Sequence, residues 1–490
     1  MVGARRAARP SLRRSRAFPV TVVLVLIAAA TTVLGAAAPA AAALPKGFTV
    51  VTALSGLTQP TAVRFAPNGR VFVAEKRGTI QMFDDLADTT PTQVADLRTD
   101  VNNVSDRGLL GLAVDPGFPD RPYLYALYTF DGPMGGASPL WGVAGQDNDP
   151  CPDAPAATSP GCVVSGKLTR LTLTGDSTTG QDLIHDWCQQ YVTHTVGDVV
   201  FGADGALYVS GGDGASWGGV DYGQGGLPPN PCGDPPGEAG TAPTPPSAEG
   251  GALRAQDLRT REDPVSLDGT VVRVSPDTGL ALRGNPSADE ADANTQRIVA
   301  YGLRNPFRMT TRPGTDELWL AEVGWRSAEE VDRIRDPRAR VRNFGWPCYE
   351  GTSQQEEYAA AGLAICAGLY GQGADTKPWF SYPRGVPLSG RDDCSTGPRS
   401  SISGIAFRSS AGSAYPASYD GALFFSDFSR NCIWIMRAGV DGLPDPSTVR
   451  SFVSDAAGPV DLQVSPQGEL CYVDLVGGTV RRIVYGSAPA

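Results

Sequence analysis

Apolar and polar positions alternate in short runs along this chain, and the runs come in pairs. Each pair is joined by a turn rich in Pro, Asp, Asn or Gly, and long helical periodicity is scarce. Alternation with a period of two predicts strands, and a turn between two such runs predicts a hairpin. The pattern appears at Pro60 to Glu75, Gly108 to Phe130, Tyr191 to Trp217, Pro306 to Trp325, Ser403 to Phe428 and Pro459 to Leu475. Six copies give a spacing of about 70 residues, against about 40 to 45 for a plain four-stranded propeller blade, so long loops are expected. The expected fold is all-β, a six-bladed β-propeller with long loop insertions, because closing the ring removes exposed sheet edges. Two stacked sandwiches are the competing arrangement.

The surplus length lies in insertions. Asp131 to Cys162 and Gly218 to Asp263 are rich in Gly, Pro and Asp and have no apolar period, which predicts loops over one face. Ser353 to Gly362 predicts a short helix. Residues 1–43 hold six arginines and no acid, then an apolar run from Pro19 to Ala38 and small residues at Ala41 to Ala43. That is the make-up of a secretory signal peptide, which leaves 44–490 as the propeller domain. No later stretch has the length and apolarity of a membrane span.

Charge and cysteine content narrow the class. Without the six leader arginines the formal charge goes from −11 to −17, which argues against nucleic acid as a partner. All nine cysteines lie after the leader, as suits an oxidising, secreted or cell-envelope location. Short-range pairs are expected, namely Cys151–Cys162, Cys188–Cys232, Cys348–Cys366 and Cys394–Cys432, with Cys471 left over.

Candidate chemistry gathers where strands begin and end. The chain has two histidines, and His194 stands at the entrance of the third hairpin with Asp213 at its exit. Antiparallel pairing would bring them together as an imidazole oriented by a carboxylate, the construction of a general base. A lone histidine at a strand end is otherwise most often simply packed. Arg304 and Asn305 precede Pro306, a forked cation and an amide suited to carboxylate or carbonyl oxygens. Arg304 could equally knit neighbouring blades. Glu329 and Glu330 follow a glycine-containing loop, Gly324-Trp325, and carboxylates with free carbonyls suit Ca²⁺. A solvated acidic turn is the plainer alternative. No zinc, EF-hand, dinucleotide or serine-hydrolase spacing is present.

Together these segments resemble the soluble glucose/sorbosone dehydrogenase family, quinoproteins that use pyrroloquinoline quinone (PQQ). The carrying motifs are RGLLGLAVDPGF, HTVGDVVFGADGALYVSGGD, LDGTVVRV, YGLRNPF, AEVGWRSAEEV and NFGWP, in the family's order. The resemblance implies PQQ and Ca²⁺ at the channel mouth. It implies His194 as base, Asp213 as its carboxylate partner and Asp106 near substrate and quinone. Arg304 and Asn305 would contact the quinone's carbonyl side. Gly324 and Trp325 would give backbone carbonyls to Ca²⁺, with Glu329 and Glu330 as an acidic pair near a calcium site. Two departures stand out. Where the family has arginines for the PQQ carboxylates this chain reads Gly458-Pro459-Val460-Asp461, and where it has a lysine stands Ser429, beside Arg430. Arg384, Arg391, Arg399 and Arg430 are the candidate replacements.

The resulting expectation is an exported PQQ- and Ca²⁺-dependent dehydrogenase that oxidises a sugar hydroxyl and passes electrons to an unidentified acceptor. A non-catalytic carbohydrate- or protein-binding propeller and a Ca²⁺-dependent lactonase-like hydrolase are the alternatives. Bound-quinone spectra would separate them.

Overall fold

The computed structural model describes residues 44–147, 149–151, 161–260, 264–373, 376–409 and 414–486; the predicted leader lies outside them. Six antiparallel sheets form the six blades of a propeller. The first blade runs Pro60–Phe65, Val71–Glu75, Thr79–Phe83, Thr92–Asp96. The second runs Leu109–Val114, Tyr123–Phe130, Val164–Thr174, Ser177–Gln189. The third takes Val196–Phe201, Leu207–Gly211, Thr270–Val274 and Ile298–Tyr301, with Arg342–Asn343 added in parallel outside. The fourth takes Pro306–Thr311, Leu318–Glu322, Ala328–Ile334 and Phe380–Pro383. The fifth takes Ile402–Phe407, Leu423–Asp427, Cys432–Met436 and Arg450–Val453. The sixth takes Pro459–Val464, Leu470–Asp474 and Thr479–Tyr485, and its outermost strand is Phe48–Leu54 from the start of the described chain.

The second strands of the blades are buried along their whole length except at Tyr123 in the second blade, because each blade is covered on both faces by its neighbours. Val, Ile, Leu and aromatic side chains on facing blades fill every interface. One cluster joins Phe72 and Ala74 to Leu112 and Leu124, and the next joins Leu168 and Tyr125 to Val199 and Val209. Others join blade three to four, four to five and five to six. The last joins Val460 and Val473 to Val63 and Val73 and closes the ring.

All six innermost strands carry a register shift near their first residues. Such bulges twist the strand and re-aim side chains at the end of the ladder, here toward one mouth of the axis. Below that mouth the channel is plugged by charge. Arg64 bonds Asp198 at 2.7 Å and Asp461 at 2.6 Å, and Arg308 lies 3.8 Å from Asp461. Asp461 therefore faces the axis, and its segment builds the plug.

The four cysteine pairs expected from spacing are disulfides, and Cys471 is a buried thiol whose pKa burial pushes up. The Gly218 to Asp263 insertion is held by Cys188–Cys232 and ends in a 3-10 helix, Gly251–Arg259. The expected helix is Glu356–Ala360, and a second follows at Ala364–Gln372. These pieces pack around Trp325, Trp346 and Tyr358 as a cap beside the mouth. No helix among the described residues is long and apolar enough to cross a membrane.

Candidate active site

The third hairpin brings its two ends together as its sequence requires. Gly212 lies so close to the His194 carbonyl that a β-carbon there would sit 2.3 Å from it, so only glycine lets the strands meet. His194 Nδ1 is 2.9 Å from Asp213 Oδ1. The other Asp213 oxygen accepts from Trp346 Nε1 at 2.7 Å, and Ala215 N donates to Oδ1 at 3.0 Å. Both residues are buried. Burial alone would raise the Asp213 carboxyl, but His194, Arg304 and the Ala215 N–H outweigh it and hold it below its usual range. Burial and then Arg304 push the His194 pKa below its ordinary value, against Asp213 and Asp106. The imidazole is therefore neutral near pH 7. With Asp213 taking the Nδ1 proton, Nε2 is left as the acceptor. His194 also holds a positive φ of 51°, a conformation histidine tolerates better than most residues. The other histidine, His185, is packed structurally, with Nε2 on Ser165 Oγ and its ring against Phe130.

His194 opens into a cavity of ≈ 560 Å³ at the mouth, shared with Asp106, Arg304 and Asn305. Glu322 sets the Arg304-Asn305 turn by accepting both backbone N–H groups, at 2.6 and 3.1 Å. The Arg304 guanidinium donates to the carbonyls of Val323 and Gly324 and lies over Trp346, and its Nε has no partner. Burial lowers its pKa. Burial also raises the Asp106 carboxyl, against His194, Lys76 and Arg304.

The lining holds five cations: Lys76, Arg304, Arg326, Arg384 and Arg399. Of the four candidate replacements, Arg384 and Arg399 line the cavity. Arg430 is buried on the carbonyls of Pro383 and Val386, and Arg391 bonds Ser447 O elsewhere. Lys76 was not legible beforehand; it is the residue after the first hairpin's second strand. Burial lowers its pKa to about 8 despite Asp106 and Asp149. Trp217, half-exposed on the rim, was also missed. A surplus of positive groups around a cavity lined by both apolar and hydroxyl side chains fits a flat, polyanionic cofactor.

The expected metal residues separate into two groups. Gly324 O already accepts from Arg304 at 2.8 Å and Arg384 at 2.9 Å. Glu329 accepts from Arg384 and from the backbone N–H of Gly324 and Ile402. Two guanidinium groups on one carbonyl leave no place for a dication, so Gly324 and Glu329 do not fit as ligands. Trp325 is tied through its N–H to Glu350. Glu330 differs. Strand pairing sets it opposite Glu322, with Asp332 two residues on along the same face, and Glu350 acts on it electrostatically. Glu322 Oε2, Glu350 Oε2 and both Asp332 oxygens are buried without a hydrogen-bond partner. Burial raises Glu330 to about 8, and raises Glu322 and Asp332 well above their usual range. These carboxylates form a buried, oxygen-only acidic cluster that would attract a hard dication, but their ligand oxygens do not converge as a ready-made set of three. Glu329 and Glu330 are thus strand residues facing opposite sides, not a loop pair.

Comparison with known proteins bears on the family and the fold. The family profile described as Glucose / Sorbosone dehydrogenase matches residues 57–222 and 251–391. An aldose sugar dehydrogenase of Escherichia coli is 35% identical over 88 residues, 18% of this chain and 22% of that protein. Quinoprotein glucose dehydrogenase B of Acinetobacter calcoaceticus is 24% identical over 334 residues, 67% of this chain and 58% of that one. The chain thus spans less than two thirds of these curated relatives' lengths. The PQQ-bound aldose sugar dehydrogenase of Streptomyces coelicolor superposes with a TM-score of 0.57 at 18% identity, covering 90% of this chain and 99% of that one. With the family profile spanning well over half of its length, the chain belongs to the glucose/sorbosone dehydrogenase family.

Proposed function

We propose that the protein is an exported, PQQ-dependent dehydrogenase that oxidises a sugar hydroxyl. The observation that carries this is a neutral histidine, oriented by a buried carboxylate, facing Arg304 in a cavity ringed by cations. PQQ, when bound, supplies a carbonyl centre able to take up two electrons. Lys76, Arg384 and Arg399 would hold its carboxylates in place of the arginines absent at Gly458 to Val460. His194 Nε2 accepts the hydroxyl proton, and Asp213 stabilises the imidazolium that forms. The free Nε edge of Arg304 stabilises negative charge developing on oxygen. The leader pattern and four disulfides support export. Purified protein should take up PQQ at micromolar concentration and then oxidise aldoses with an artificial dye. A wild-type protein that gives no bound-quinone spectrum removes this reading and leaves a binding propeller.

Calcium, in this reading, would be drawn to the buried carboxylates of Glu330, Glu322 and Asp332 and would neutralise their charge. The sign with pH follows. Without a cation, a carboxyl whose folded pKa is raised to about 8 favours the folded state at low pH, and that stability is lost as pH rises from its unfolded value toward 8. Millimolar Ca²⁺ should therefore raise the melting temperature relative to chelator, more at pH 8 than at pH 5. Equal melting temperatures at both values would remove calcium from this site.

A further inference from the structure

The stretch from Arg333 to Arg342 carries arginines at 333, 335, 338, 340 and 342 in a chain of net charge −11. Charge of that sign and density, in a protein otherwise acidic, calls for a counterpart. Part of it has one. Arg333 pairs with Glu317 and lies against the rings of Trp319 and Trp379. Arg338 pairs with Asp316 at 2.7 Å. Arg335, Arg340 and Arg342 form no ion pair among the described residues. Arg342 Nε is buried with no hydrogen-bond partner, as is Arg333 Nε. Burial and then Arg340 hold the Arg342 pKa below its ordinary value, with Arg335 adding to this and Asp336 opposing it. The strain is that of like charges packed together.

These side chains enclose a space. A second cavity, of ≈ 340 Å³, is lined by Arg333, Arg335, Arg342, Thr376, Lys377 and Trp379. The fold explains the convergence. Arg333 and Arg335 lie at the end of the fourth blade's third strand, and Arg342 begins the short strand added in parallel to the third blade. The chain from Thr376 leads into the fourth blade's last strand and supplies a hydroxyl and an ammonium to the rim. Lys377 lies over the Tyr349 ring and donates to Thr352 O. The candidate active-site cavity opens near Trp325 and Arg326, before the other end of that third strand, and shares no residue with this one.

We infer that this cavity is a binding site for a phosphate-class oxyanion, taken as free phosphate or as a phosphate monoester. Two planar guanidinium groups without carboxylate partners offer forked donors matched to such an anion. A tetrahedral dianion would relieve the repulsion among Arg335, Arg340 and Arg342 and give the orphaned Arg342 Nε a partner. The inference does not rest on the catalytic reading.

The test is isothermal titration of the purified chain with inorganic phosphate and with glucose 6-phosphate, against sodium chloride at matched ionic strength. Saturable binding of either phosphate form is expected, with chloride giving none. Binding of the ester alone assigns the site to a phosphorylated ligand, and binding of both assigns it to the shared oxyanion. Arg335→Gln, at an exposed position, should weaken binding by about tenfold, as for loss of one charge-assisted fork. The double variant with Arg342→Gln should abolish it. The thermal unfolding midpoint of the single variant should match the wild type, which checks its folding without recourse to activity. No saturable binding of either phosphate form, or binding undiminished in the folded Arg335→Gln protein, overturns the proposal.

Discussion

Replacing His194 with alanine is expected to lower dye-linked sugar oxidation by about two to four orders of magnitude, the range for loss of a positioned base. PQQ uptake should largely survive, because the cations placed to hold its carboxylates are on other loops. His194→Asn is the better-behaved partner experiment. Asparagine tolerates a positive φ, so the strand end keeps its conformation while the base is gone. Arg304→Ala should differ in kind and lower both quinone affinity and turnover, since one guanidinium serves bound and reacting states alike. The pH profile gives a second readout. A base works unprotonated, and burial and Arg304 hold His194 below the ordinary imidazole range. The rate should therefore be insensitive to this group at neutral pH and fall only in acid solution. Full activity in His194→Asn, or a loss of rate already centred above pH 7, would remove His194 from the chemistry.

The largest effect on stability is expected at the axis. Asp461→Ala should cost about 3 to 5 kcal/mol in denaturant unfolding, the range for breaking a buried ion pair from one side. Asp461 accepts from the Arg64 guanidinium and the Val63 N–H and lies beside Arg308. Its loss leaves two buried cations facing Asp198 alone. Arg308 also bonds the carbonyls of Val460 and Thr61, so the disturbance reaches the first, fourth and sixth blades. A change under about 1 kcal/mol would mean that the plug is solvated in solution. An apolar replacement of the whole quartet could be neutral, because burying the four charges costs desolvation as well.

Much of this architecture was legible in the chain. Hairpins are local, so a period-two pattern punctuated by glycine and proline revealed six repeats. The same locality placed His194 beside Asp213. What was hidden depends on contacts across the ring. Lys76 lies far in sequence from Arg384 and Arg399, and they meet only because the turn after the first blade's second strand and the connection from the fourth blade to the fifth open on one mouth. The stretch Gly458 to Asp461 read as a deficit of cations, while its Asp461 is one of the four charges of the axial plug. Glu329 and Glu330 looked like adjacent loop ligands. The strand starts at Ala328, so alternation sends one to Arg384 and the other into the acidic cluster. The pairing of Phe48–Leu54 with the last repeat carried no local signal at all.

That pairing has a kinetic meaning. Phe48 lies opposite Tyr485 and Leu54 opposite Val480, so the earliest-made strand waits for the last one. Until Thr479–Tyr485 has been made, the FTVVTAL segment is a solitary apolar strand with unmet backbone donors and acceptors, open to intermolecular pairing. Loop closure across the whole barrel-length chain must precede its docking, which makes ring sealing a late and slow event. The circle cannot lock before both of its end strands have been made.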